Sequence, residues 1–281
     1  MLPSFLVAGV AVPSMMYGTA WKEEDTERHV EDALAAGFRA IDTANQRKHY
    51  FEAGVGAAIQ KALKHRGLLR EALFLQTKFT QVSGQDARLP YDPAAPHAVQ
   101  VAQSFASSLE HMGVSYLDAY ILHGPANDEG LVDQDWEIWG AMEAIFDADK
   151  ARLLGISNVT LGQLEELYTK ARVKPAMVQN RCYASRGWDR EVRVFCMEHG
   201  IRYQGFSLLT ANRDVLAHRT TEKIAKRVSS SPEEVVLRFA HDVGMIVLTG
   251  TRSREHMNRD LAISRITLDS REIATIEAIS G

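Results

Sequence analysis

The sequence predicts an α/β fold: a single-domain (β/α)8 barrel of the TIM type, with an N-terminal hairpin and an extra helix towards the C-terminus. Three observations predict it. Short apolar runs alternate with helical patterns eight times along the 281 residues. No composition shift marks a linker between separate units. The apolar runs close on polar residues just ahead of loops. Such alternation gives parallel strands joined by right-handed crossovers, and eight of them close a barrel of about 250 residues in one domain. An open doubly wound sheet is the structural alternative. It calls for a glycine-rich phosphate loop after an early strand, and no Gly-x-Gly-x-x-Gly occurs.

In chain order, residues 2–16 are apolar enough to raise a secretory signal, but no positive segment precedes them. Pro3, Gly9 and Pro13 interrupt the run, which reads instead as a short hairpin. Residues 15–19 form the first barrel strand. A helix over 24–36 follows, with Val30, Ala33 and Leu34 on one face and Gly37 as its C-cap. The strand over 39–43 leads into a helix over 52–65, where Val55, Ile59 and Leu63 lie four apart. The strand over 72–79 carries Thr77 and Lys78 at its end. A polar loop with Gly84, Pro90 and Pro93 then reaches a helix over 96–112, stopped by Gly113. The strand over 116–124 precedes a helix over 136–149, the strand over 153–158 a helix over 160–172, and the strand over 175–180 a helix over 189–199. The seventh strand is 202–208, followed by a short segment that turns helical near Thr220. Ser231-Pro232-Glu233-Glu234 combines an N-cap, a first-turn proline and an acidic first turn, opening a helix to His241. The strand over 245–251 is the eighth, and helices over 254–263 and 270–279 finish the pattern.

Composition removes several functions. The 46% apolar and 24% charged content is that of an ordinary soluble globular protein. A net charge of −4 leaves no electrostatic footprint for nucleic acid. No stretch has 18 uninterrupted apolar residues, so no membrane span is expected. Cys182 and Cys196 sit in no metal-ligand spacing, and so few cysteines suggest a reducing, cytoplasmic setting. The expected assembly is a monomer or a weak homo-oligomer.

The strands end in Thr19, Asp42, Lys78, His123, Ser157-Asn158, Gln179-Asn180, Ser207 and Thr251. In a barrel these positions converge on the carboxyl-terminal face, where barrel enzymes place their sites. Each has a structural explanation when taken alone. Asp42 can cap the next helix, Lys78 can snorkel to the surface, and His123 can be a satisfied buried histidine. Asp42, Lys78 and His123 on one rim, with Tyr50 on the adjoining loop, are hard to explain as stability features. A metal-dependent lyase or hydrolase needs a cluster of His, Asp and Glu at strand ends. Only Asp42 and His123 qualify, so no metal is expected.

The motifs on that rim are Gly18-Thr19-Ala20-Trp21, Ile41-Asp42-Thr43-Ala44, Val55-Gly56 with Ile59, Thr77-Lys78, Tyr120-Ile121-Leu122-His123, Gly155-Ile156-Ser157-Asn158 and Val178-Gln179-Asn180. In order, spacing and strand-end context the chain resembles the aldo-keto reductase superfamily over essentially its whole length. The resemblance implies an NADP(H)-dependent reductase that turns an aldehyde or ketone into an alcohol, with a catalytic tetrad of Asp42, Tyr50, Lys78 and His123. Reduction of a cyclic imine or other C=N bond on the same scaffold is the alternative. A cofactor-binding regulatory module without turnover is the alternative of another class, and an intact tetrad argues against it.

The chain departs from the family pattern in places. The tyrosine usually lies five residues after the aspartate, where Arg47 stands, while counting back from Val55-Gly56 reaches His49. A two-residue insertion reconciles the two ends, and the path of the loop chooses between His49 and Tyr50; Tyr50 is preferred because a phenol has the required chemistry. The usual Tyr-Ser-Pro-Leu of strand seven reads Phe206-Ser207-Leu208-Leu209. The usual Lys-Ser after strand eight reads Gly250-Thr251, and the usual downstream arginine aligns with His256.

In the implied mechanism, the Tyr50 hydroxyl and a neutral His123 N–H meet the carbonyl oxygen. The Lys78 ammonium lowers the phenol pKa, and Asp42 holds Lys78 charged. By resemblance, Ser157, Asn158 and Gln179 hold the nicotinamide carboxamide and Phe206 stacks on the ring. Thr19, Ser207, Leu209, Thr251, Arg252, His256 and Asp260 complete the cofactor set. Trp21, His123 and Tyr183 are the expected substrate contacts. Many relatives carry a long tail over the pocket mouth; here the last helical pattern already occupies 269–280, the segment after strand seven is short, and Gly124 stands where a bulky aromatic is common. These features imply a wide pocket for bulky ketones, aldehydes or cyclic imines rather than sugars.

Overall fold

The computed structural model describes residues 3–279. Leu2, where the N-terminal apolar run begins, and Ser280, where the last helical pattern closes, lie outside the described residues. Strands β1 (Ser4–Val7) and β2 (Val10–Pro13) pair antiparallel as the expected hairpin. Ala8 and Gly9 between them take φ of 46° and 81°. A two-residue turn with both residues at positive φ matches the twist of the flanking strands.

Eight parallel strands close the barrel: β3 (Met15–Gly18), β4 (Ala40–Asp42), β5 (Phe74–Phe79), β6 (Leu117–Leu122), β7 (Ala151–Ser157), β8 (Met177–Arg181), β9 (Arg202–Phe206) and β10 (Ile246–Thr249), with β10 pairing back to β3. Side chains alternate between the two faces of each strand. In β5, Leu75 and Phe79 face the outer layer, where they pack with Val55, Ile59 and Val101 of the surrounding helices. Phe74 faces the interior, with Met16, Ala40, Ala119, Leu153 and Met177. Val7 and Val12 of the hairpin join that interior cluster and close one end of the barrel. Further along the same inward face come Gln76 and Lys78, so the interior changes from apolar at the hairpin end to polar at the carboxyl-terminal end. That gradient positions the site.

Two glycines of the motifs set the packing. A Cβ on Gly56 would collide with the carbonyl oxygen of His111, so this residue lets the helix Glu52–His65 lie against the helix His97–Met112. A Cβ on Gly155 would come within 2.6 Å of the Met177 carbonyl oxygen, so the glycine leaves β7 room beside β8. Thr77 and Ser108 both donate to the buried Glu52 carboxylate, tying β5 and both helices together. Ser231 caps its helix as expected: its hydroxyl accepts from Glu234 N, and Glu234 accepts from Ser231 N at 2.8 Å. Such a cap contributes about 1 kcal/mol.

Two strands stop short of the ends of their apolar runs. β6 stops at Leu122 and β10 at Thr249, which leaves His123 and Thr251 on loops. After β9 the chain forms two helices, Arg213–Leu216 and Arg219–Arg227. The first is a single turn, too short to show periodicity. The helix Ser270–Glu277 is the extra C-terminal one.

Candidate active site

The carboxyl-terminal strand ends open into a cleft of about 1330 Å³. Asp42 closes β4, Lys78 sits next to last in β5, and His123 directly follows β6. The extra residues before the helix Glu52–His65 fold as a tight turn, in which the backbone N–H groups of His49 and Tyr50 both donate to Gln46 O, at 3.1 and 2.9 Å. That turn separates the two rings. His49 packs against Trp21 with centroids 4.0 Å apart, and its Nδ1 donates to Gln46 Oε1 at 2.9 Å. Tyr50 turns inward instead, edge-on to His123 at 5.9 Å, with Lys78 Nζ 5.2 Å from its ring centroid. The loop thus brings Tyr50, not His49, beside the other three residues.

Lys78 is 0% exposed. Its Nζ donates to Asp42 Oδ1 at 2.7 Å, Asp42 Oδ2 at 2.8 Å and Thr43 O at 2.8 Å, which commits all three ammonium hydrogens. Asp42 Oδ1 also accepts from Gln76 Nε2 at 2.7 Å and Gln179 Nε2 at 3.0 Å. Beneath them Gln204 Oε1 accepts from both of these amides, at 2.8 Å each, and Gln204 Nε2 donates back to Gln76 Oε1 at 2.8 Å. A buried ion pair needs its remaining lone pairs and protons satisfied to survive desolvation, and this glutamine belt does so. Burial pulls the Lys78 amine down from its ordinary value and the Asp42 carboxylate opposes it.

The expectation of a lowered Tyr50 pKa is corrected, because the net shift is upward. Burial and the Asp42 carboxylate hold the phenol well above its ordinary value, with the Arg181 charge opposing them. With every Lys78 hydrogen committed to Asp42 and Thr43, none is left for the Tyr50 oxygen. The Tyr50 hydroxyl is therefore a firmly protonated donor.

His123 is held neutral. Burial, then the Lys78 charge, then His49 push its imidazole well below the ordinary value of 6.5. Its Nδ1 lies 2.6 Å from Thr80 Oγ1. The Thr80 hydroxyl has no other hydrogen-bond partner among the described residues, so donating to Nδ1 is the arrangement that leaves no buried hydroxyl proton unsatisfied. Nδ1 then accepts, and Nε2 carries the imidazole proton. Gly84 leaves room for the threonine, since a Cβ there would approach Thr80 Cγ2 to 2.7 Å. Thr80→Val is expected to lower kcat about 10-fold and Thr80→Ser to restore it, as suits loss of one positioning hydrogen bond. Imidazole 15N shifts check the cause; a valine variant that keeps the Nε2–H tautomer and wild-type kcat would count against this assignment.

Of the other expected residues, Trp21, Tyr183, Ser157, Asn158, Gln179, Phe206, Ser207, Leu209, Thr251, His256 and Asp260 line the same cleft. Two do not. Thr19 is fully buried and its hydroxyl donates to Asp42 O at 3.0 Å, so it shapes the wall from behind. Arg252 points back across the β3 loop and donates to Trp21 O. Ser157 Oγ donates to Gln179 O at 2.6 Å, and Asn158 Nδ2 donates to His123 O at 2.8 Å, so these side chains brace neighbouring loops. Asp260 is buried, accepts from Thr249 Oγ1 at 2.6 Å, and is pushed by desolvation to about 6.

Some residues at the site carried no sequence motif. Lys22 is only 3% exposed and donates to Gly18 O at 2.8 Å and Gly250 O at 2.9 Å, holding the β3 and β10 loops together. Burial, then the Arg252 charge, lowers its amine to about 8. Gln76 and Gln204 stood as polar residues inside apolar runs, the one signal that could have found them. Arg181 and Arg186 also line the cleft. Among the described residues, no group of three or more His, Cys, Asp or Glu side chains is arranged to hold a metal ion. No helix of the described residues is long and apolar enough to cross a membrane, and Cys182 and Cys196 are both buried and free.

The family model described as Aldo/keto reductase family matches residues 13–280. A glyoxal reductase of Bacillus subtilis is 28% identical over 275 residues, 97% of this chain and 90% of that protein. The aldo-keto reductase family 4 member C11 of Arabidopsis thaliana is 30% identical over 264 residues, 86% of this chain and 78% of that protein. The crystal structure of an aldo/keto reductase from Brucella melitensis superposes with a TM-score of 0.83 at 26% identity, covering 99% of both chains.

Proposed function

The chain belongs to the aldo/keto reductase family, and from that premise we propose that it reduces a small-molecule aldehyde or ketone to the alcohol with NADP(H) in the cytoplasm, Tyr50 giving the proton. The observation that carries this reading is the buried Asp42–Lys78 pair with the Tyr50 hydroxyl and neutral His123 beside it at the cleft. The cofactor, when bound, supplies hydride to the carbonyl carbon. Two N–H or O–H donors aimed at the carbonyl oxygen stabilise the charge that develops there, and Tyr50 O–H and His123 Nε2–H would be those donors. The raised phenol pKa does not block the transfer. An alkoxide is a stronger base than a phenolate, so the Tyr50 proton moves downhill to it. The Lys78 ammonium, close to the ring, then stabilises the phenolate until solvent returns a proton.

The cleft fits a nicotinamide dinucleotide. Both amide hydrogens of Gln179 are committed to Asp42 and Gln204, while its Oε1 accepts no hydrogen bond among the described residues and is left for a carboxamide N–H. Phe206 offers a π-face, which is all that ring stacking needs. Ser207 and Leu209 follow Phe206 along the cleft, and Thr251, His256 and Asp260 line its far end. Glu233 and Glu234 line the cleft too, so NADPH is expected to be preferred over NADH only modestly. His256→Ala should weaken NADPH about 5- to 10-fold, the value of one hydrogen bond, and leave NADH nearly unchanged. Fluorescence titration checks this, and equal weakening of both would place His256 on a part common to the two cofactors.

The large cleft and Trp21, 60% exposed at its mouth, support bulky carbonyl substrates. Oxidation of NADPH by a panel of aldehydes, ketones and cyclic imines of increasing size tests the reading. Failure to reduce any of them overturns it, and activity confined to imines selects the C=N alternative.

A further inference from the structure

Three arginines line the cleft, and they differ in what they meet. Arg259 pairs with Glu255 at 3.0 Å. Arg181 and Arg186 have no carboxylate within salt-bridge distance among the described residues. Arg181 closes β8, two residues beyond Gln179. Its guanidinium lies over Phe206, 5.6 Å from the ring centroid, and Nη1 donates to the Tyr183 hydroxyl at 3.3 Å. Arg186 lies on the other side of the same tyrosine, 5.2 Å from its ring centroid. Both flank Tyr183, an expected substrate contact, and Arg181 is also the cation whose field reaches the Tyr50 phenol.

The loop that presents them is held from below. Gly187, Trp188 and Asp189 take successive left-handed conformations, φ 65°, 57° and 55°. Two non-glycine residues in that region persist only where the surroundings over-determine them, a state that clusters at ligand-binding segments. Here Trp188 is fully buried against Phe239, its backbone N–H donates to Tyr183 O at 2.9 Å, and Arg193 Nε donates to its backbone carbonyl at 2.8 Å. The Asp189 carboxylate is engaged by Asn180 Nδ2 at 2.9 Å and the Tyr203 hydroxyl at 2.8 Å. The nearest acid in sequence therefore has other partners and pairs with neither arginine among the described residues. Asp42 is likewise engaged with Lys78. Asp128, the remaining acid near the reacting end, belongs to the loop after β6 and makes no ion pair with either arginine.

A guanidinium presents a planar fork that matches a carboxylate. We propose that the substrate is an oxo acid, its carbonyl oxygen at Tyr50 and His123 and its carboxylate on Arg181, with Arg186 adding positive field. This rests on the carbonyl-reductase reading above and names the substrate class within it.

The test compares 4-formylbenzoate with its methyl ester, a pair of similar size that differs in the charge. The wild-type protein is expected to prefer the acid in kcat/KM. Arg181→Gln should reduce the acid-to-ester ratio by about 10- to 100-fold, the range for a charged hydrogen bond, chiefly through KM. Arg181→Lys should keep part of the preference, because it retains the charge without the fork. Equal turnover of acid and ester by the wild type overturns the proposal, as does a uniform fall for both in Arg181→Gln. NADPH titration of Arg181→Gln is the second arm; weakened cofactor binding there assigns the arginine to the cofactor's phosphates and overturns it too. Absence of turnover with every carbonyl overturns the reductase reading instead. Calorimetric titration with benzoate still separates the two, since its binding should be lost in Arg181→Gln whatever the chemistry.

Discussion

Tyr50→Phe is expected to lower kcat by about 10²–10⁴-fold, the usual contribution of a positioned general acid, while NADPH still binds. The variant deletes one oxygen and keeps the ring, so the edge-on contact with His123 and the approach of Lys78 survive. The loss is therefore chemical rather than structural, and an unchanged unfolding midpoint should accompany it. The pH profile adds a second readout. The phenol is held well above its ordinary value of 10.0 by burial and by Asp42. Wild-type kcat should not fall by phenol ionisation until pH exceeds 10, and that alkaline limb should be missing from the residual activity of the phenylalanine variant. His49→Ala is the control for the register of the loop: its ring packs on Trp21, away from Lys78, so it should affect KM more than kcat. A near-inactive His49→Ala beside a normal Tyr50→Phe would exchange the roles of the two residues.

Much of this site is legible from strand ends. Asp42, Lys78 and His123 stand where apolar runs stop, and barrel geometry brings such ends to one face whatever the connecting loops do. Tyr50 is harder to read, because its position depends on the path of an inserted loop. Only the turn at Gln46 shows which of two adjacent rings faces inward. The glutamine belt illustrates a different limit. Gln76 and Gln204 are visible as polar residues within strands, but their partnership spans 128 positions and needs the closed barrel to bring β5 and β9 to the same interior. Thr80 gives no pattern at all, since its role lies in a single hydroxyl contact with His123 Nδ1. Arg252 shows the converse. It stands where a phosphate-binding arginine would be sought, yet its side chain folds back to the Trp21 carbonyl. The phenol pKa departs from the expectation for a related reason: Lys78 lies beside the ring, but its hydrogens are committed to Asp42 and Thr43.

Lys78→Met is expected to cost both stability and turnover, and a double variant can separate the two. Removing the ammonium leaves Asp42 Oδ1 with its two glutamine donors and Oδ2 with no remaining side-chain donor. Breaking a buried ion pair from one side destabilises by about 3–5 kcal/mol, because the remaining charge is uncompensated. Adding Asp42→Asn removes that charge while keeping an oxygen for Gln76 and Gln179, so the double variant should recover much of the lost stability in urea unfolding. Turnover should not follow. Without the ammonium the phenolate that Tyr50 becomes loses the cation 5.2 Å from its ring centroid, and removing one such electrostatic partner typically costs about 10²–10³-fold in kcat. A double variant that is folded, binds NADPH and remains down by that factor assigns Lys78 a role in the chemistry. Recovery of kcat together with stability would make Lys78 a structural residue, and would leave Tyr50 and His123 to carry the reaction alone.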